Sequence, residues 1–128
     1  MSVHVVRLGS KRGDNEGTRI GTVRRPPRGV PKSEFASRDW YDVWFPILAP
    51  SVPTMKLAQA ATTAAQWAAF RKKYRAEMST TETSHAIELL AVLSQHTNFS
   101  VGCYCSDEEH CHRSVLRALL IENGAKVA

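Results

Sequence analysis

A chain of 128 residues, 43% hydrophobic and 23% charged, has the size and balance of one globular domain that can bury a core without disulfides or metal. Its three cysteines argue by their odd number against a disulfide framework. No apolar run approaches the ~18 residues that span a bilayer, and no signal-type stretch follows Met1, so a cytoplasmic location with reduced thiols is expected.

The formal charge of +5 is unevenly placed: residues 1–40 carry nine Lys/Arg against four Asp/Glu, and residues 41–128 carry eight of each. That excess suits a phosphate or polyanion partner for the first third, or a solvated basic loop.

His4 to Leu8 is a short apolar run and reads as a first strand. Residues 9–17 hold three glycines among polar residues and read as a loop. They contain no phosphate-loop or dinucleotide fingerprint. Thr18 to Val23 alternates around Ile20 and reads as a second strand. Residues 24–33 form a loop in which three prolines forbid a helix or a central strand. This stiff segment presents Arg24, Arg25, Arg28 and Lys32, the best basic site in the chain.

Trp40 to Phe45 fits a helix by Trp40, Val43, Trp44 and Ile47, and a strand by its alternation. Pro46 tips the reading to an extended segment whose aromatics pack in the core. Ser51 followed by Pro53 starts a short helix to about Ala60. Thr63 with Gln66 forms a capping box for a second helix, in which Trp67, Phe70, Tyr74 and Met78 make one apolar stripe. Ser79 with Glu82 is a cap for a third helix carrying Ile87, Leu90, Ala91 and Ser94 on one side. Phe99 to Cys105 reads as a buried strand. Cys111 to Asn123 reads as a last helix with Gly124 as its terminator. The order predicts an α/β single domain with a small, mainly parallel sheet flanked by helices. An α+β arrangement stays open.

Arg24-Arg-Pro-Pro-Arg-Gly-Val-Pro-Lys32, Trp44-x3-Leu48-Ala-Pro-Ser51 and Trp67-x2-Phe-Arg-x2-Tyr-x2-Glu-Met78 follow one another in a pattern that resembles the YeaO-like branch of the domain of unknown function 488 family. The similarity runs from about Thr18 onward. Cys111-His-Arg113 resembles the signature of the wider family. Asp107-Glu-Glu-His110 resembles the branch, so the two patterns meet in this chain. The resemblance implies a small bacterial-type α/β domain and brings no settled catalytic residues.

The chemistry gathers between Cys103 and Arg113, at a strand-loop-helix junction of the kind where open α/β sheets bind ligands. Cys111 and His112 begin a helix whose free N–H groups, with Arg113, favour an anion and lower a thiol pKa. One expectation is a cysteine-dependent enzyme on a phosphorylated small molecule or nucleotide. There Cys111 and His112 are catalytic, Arg24, Arg25, Arg28 and Arg113 bind the anion, and no cofactor is needed. A second is a zinc or iron centre held by Cys103, Cys105, Cys111 and His112. Its spacing is unusual, because on a flat strand Cys103 and Cys105 stand about 6.7 Å apart. A third is a non-enzymatic nucleic-acid-binding module using the basic first third. Asp42, Glu77, His85 and His96 form no constellation.

Overall fold

A computed structural model describes all 128 residues. Its order is β1 (Val3–Arg7), β2 (Thr18–Gly21), β3 (Val43–Trp44), α1 (Val52–Ala60), α2 (Ala64–Glu77), α3 (Thr81–Leu93), β4 (Phe99–Cys103) and α4 (His112–Glu122), with short 3₁₀ turns at Lys32–Glu34 and Pro46–Leu48. The strands form one sheet in the order β1-β4-β2-β3, parallel throughout. The fold is α/β, as the sequence predicts. No helix is long and apolar enough to cross a membrane.

β4 is central, and all five of its residues are buried. That explains its nearly continuous apolar run, since an inner parallel strand is covered on both faces. Val3 pairs with Phe99 on one side and Thr18 with Phe99 on the other, so the registers of β1 and β2 are set by β4. The two faces are covered differently. Val3, Phe99 and Val101 pack into a core with Phe70 and Tyr74 of α2, Met78 just after it, Ile87 and Leu90 of α3, and Val115, Leu116 and Leu120 of α4. On the other face lie Ser100 and Arg19, both fully buried. There Arg19 bonds the Glu16 carboxylate at 2.9 Å and the Asp39 carbonyl at 2.6 Å. The loop of residues 9–17 thus roofs this face through a buried ion pair where a larger protein would use a helix.

Local signals set the helix ends. Ser51 caps α1, and the Thr63–Gln66 capping box is formed at α2. The cap of α3 is Thr80, which accepts from the Thr83 N–H. Ser79, the expected cap, instead donates its hydroxyl to the Arg75 carbonyl. α4 closes with Gly124 in the left-handed conformation (φ 86°) and Ala125 N–H on the Leu120 carbonyl. The tail then returns to β1, where Val3 N–H meets the Lys126 carbonyl and Ala128 N–H the Val3 carbonyl, both at 2.9 Å. The segment around Val43 is extended, as expected, and adds a two-residue strand beside β2.

Candidate functional site

Because every strand points the same way, the chain segments that leave β1, β2 and β4 gather at one edge of the sheet. Between them lies a cleft of about 1140 Å³. Arg7, Arg24, Arg25 and Arg28 contribute to its wall, and Trp40 and Tyr104 supply rings. Cys103, Cys105 and His112 also line it. The basic loop after β2 and the cysteine loop after β4 therefore open on the same space, as two parallel neighbouring strands require.

The arginines divide. Arg24 turns its guanidinium inward, onto the carbonyls of Ala49 (3.1 Å) and Pro50 (3.2 Å). It fixes the loop and has little capacity left for a ligand. Arg25 and Arg28 are exposed and unpaired on the cleft wall. Arg113 is only 4% exposed and stands behind the wall. It donates to the Cys105 carbonyl at 2.7 Å, while its Nε has no hydrogen-bond partner. Nor does it pair with the acidic run before it. Glu108 takes Arg117 at 2.7 Å and Asp107 takes His110 at 2.7 Å.

The thiols are closer together than a flat strand would allow. β4 ends at Cys103, two residues earlier than its apolar run suggests. Cys105 has left the strand, which overturns the expected same-strand separation of the two cysteines. The Cys103 and Cys111 sulfurs touch at 2.7 Å, and all three cysteines are free. Cys111 is the N-cap of α4 with its side chain buried, whereas Cys105 is exposed.

Their acidities form a gradient. Hydrogen bonds to Cys105 and Cys111, then burial, push the Cys103 thiol far up, so it is a donor. Donation from Cys103 lowers Cys111, against the opposing pull of Cys105 and burial, with His112 assisting. Cys105 receives from Cys103 and then Cys111, and is held well below an ordinary thiol despite partial burial, with Arg113 adding a positive charge. Cys105 and Cys111 are both held below an ordinary thiol, and Cys105 is the exposed one of the two.

His112 is 7% exposed and has a defined orientation. Its Nε2 lies 2.8 Å from the Thr22 carbonyl, which can only accept, so Nε2 carries a proton. Nδ1 then faces the Cys111 sulfur at 3.7 Å. Tyr74 meets the ring edge-on at 5.4 Å. One donor atom each from Cys103, Cys111 and His112 lies within 4.8 Å of the others, a group that could hold a metal ion.

The sequence did not single out Arg7, Thr22, Trp40 or Tyr104. Arg7, Thr22 and Tyr104 end a strand or directly follow one, and that position in an all-parallel sheet is the signal that would have found them. Trp40 follows no such rule and was assigned to the core. Asp42 and Glu77 have structural partners: Arg12 at 2.7 Å, and Ser51 and Thr54 at the start of α1.

A family model described as the active DUF488-N3 subclade matches residues 3–124. No curated protein and no solved structure matches the chain significantly.

Proposed function

The chain belongs to the DUF488 family, in its active DUF488-N3 subclade, and on that premise we propose that it is a thiol-dependent enzyme that binds a phosphate-bearing small molecule or nucleotide in the cleft. The observation that carries this reading is the meeting of an accessible, acidified thiol with unpaired guanidinium groups in one space. Arg25 and Arg28 hold the anion, with Arg24 stiffening their loop. Cys105 is the nucleophile. Cys111 and His112, the residues first suggested by the sequence, act one step back, since Cys111 donates to Cys105 and His112 steadies Cys111. Arg113 balances the thiolate from behind.

Alkylation with iodoacetamide against pH tests it. Cys105 reacts fastest, well below the pH range of a free thiol, and inorganic phosphate slows it. Cys103 and Cys111 react slowly. A uniform slow reaction of all three, or a fast Cys105 indifferent to phosphate, rejects the enzyme reading.

One observation favours a second reading. A histidine that gives one ring N–H to a backbone carbonyl and turns the other nitrogen to a group of thiols has the arrangement of a metal ligand. Cys103, Cys111 and His112 would then hold zinc or iron, with Cys105 as fourth ligand or a substrate in its place. Under this reading untagged protein carries close to one equivalent of metal, and a chelator releases all three thiols to alkylation together. Sub-stoichiometric metal with chelator-independent labelling removes it.

A further inference from the structure

The cleft, at about 1140 Å³, is far larger than a phosphate group fills, and Trp40 and Tyr104 bring aromatic rings to its lining. Its rings are held by several separate contacts. Trp40 follows Asp39, the one non-glycine residue in the chain with a left-handed backbone (φ 61°). Such a conformation persists only where its surroundings fix it, and it gathers at functional sites. Here the Asp39 carbonyl accepts from Gly9 N–H at 2.8 Å and from the Arg19 guanidinium at 2.6 Å. Its carboxylate lies 3.4 Å from Arg12. The Trp40 ring then lies against Gly9, where an added Cβ would sit 2.8 Å from it, and Gly9 itself has φ 90°.

The second ring is tied to the cationic side. Tyr104 meets Trp40 edge-on at 5.7 Å. Its hydroxyl donates to the Arg25 carbonyl at 2.8 Å, and its own carbonyl accepts from Arg7 Nε at 3.3 Å. Ring wall and guanidinium wall are thus one connected assembly built from the ends of β1, β2 and β4 and from the segment that leads into β3. Both rings pack against the buried cluster of Leu8, Val23, Tyr41, Cys103 and Cys111 and at the same time line the cleft.

We infer that Trp40 and Tyr104 form a ring-binding subsite, and that the occupant of the cleft is a mononucleotide, its base against these rings and its phosphate on Arg25 and Arg28. This rests on the phosphate-binding reading above and narrows it to one substrate class. A base adds stacking energy on an aromatic side chain, and a sugar phosphate does not.

Calorimetric titration of untagged protein with inorganic phosphate, ribose 5-phosphate, adenosine and adenosine 5′-monophosphate tests it, with Cys105 alkylation as a parallel readout. The nucleotide binds about 5- to 100-fold tighter than ribose 5-phosphate and protects Cys105 at correspondingly lower concentration. Trp40→Leu removes that advantage, read as the ratio of nucleotide affinity to ribose 5-phosphate affinity in the same variant. The wild-type comparison decides alone should the variant fail to fold. Equal affinity for nucleotide and ribose 5-phosphate overturns the subsite while leaving a phosphate enzyme in place. Binding of adenosine with no binding of any phosphate keeps the subsite and overturns the anion reading. Tight, steeply salt-dependent binding of a single-stranded oligonucleotide, with the mononucleotide no better than ribose 5-phosphate, overturns it in favour of a strand.

Discussion

At the scale of single residues, Arg113 adds a positive charge to the thiol site from behind the cleft wall, beside the larger effect of the cysteine hydrogen bonds. Its guanidinium makes no ion pair with a carboxylate, and it feels the thiols of Cys103 and Cys111 ahead of the charge of Glu108. Removing a positive charge beside a thiolate raises the thiol pKa by about 1–3 units. Arg113→Met therefore moves the alkylation profile of Cys105 to higher pH, while Arg113→Lys moves it less because the charge remains. An unchanged profile in Arg113→Met would show that the arginine serves packing alone. The residue types here were legible before the structure. Cys111, His112 and Arg113 stand out as a helix start, and Cys105 as a candidate ligand. Which cysteine carries the charge was not legible, because it depends on where β4 stops. An apolar run ending Cys-Tyr-Cys gives no sign that the chain turns after Cys103.

At the scale of elements, the loop of residues 9–17 has the role a helix has elsewhere, held by Arg12 on Asp39 and Asp42 and by the buried Glu16–Arg19 pair. Burial pushes the Glu16 carboxyl up, but the Arg19 guanidinium and the Gly13 N–H outweigh this and leave it lowered. A lowered carboxyl stabilises the fold fully above the ordinary carboxylate range and loses that contribution as pH falls through its folded pKa. Glu16→Gln leaves a buried guanidinium without its counter-charge and costs about 3 kcal/mol near neutral pH. The gap between wild type and variant in urea unfolding narrows as the solution is acidified. A gap constant from pH 7 to pH 3 would mean that the charge on Glu16 contributes nothing. The loop was readable as a loop, but its buried pair was not, since Glu16 and Arg19 look like two more charges in a polar stretch. The capping box of Thr63 and Gln66 was readable because its partners lie three residues apart. The third helix slipped by one, from Ser79 to Thr80, because either residue suits the position and only the fit of Thr83 against the core decides between them.

Across the whole molecule, the positive charge of the first third is divided between the surface, where Lys11, Lys32 and Arg38 stand exposed, the interior and the cleft. Arg19 lies within the fold, Arg12 pairs with Asp42, and Arg24 ties a loop, while Arg7, Arg25 and Arg28 remain on the cleft. A concave site lined by one sign of charge focuses its field and steers anionic ligands inward. The strand order also governs how the chain can come together. β1 and β2 are the first strands made, yet they never touch. Both pair with β4, which lies roughly a hundred residues down the chain. During synthesis β1 has no partner and β2 has only the two-residue β3, so the three helices emerge before the sheet they rest on is assembled. The sheet and the thiol site must then form in one late, concerted event, at the slower rate that distant contacts impose. Until that moment β1 has no neighbour and β2 only a two-residue one, which leaves bare strand edges open to pairing with another chain.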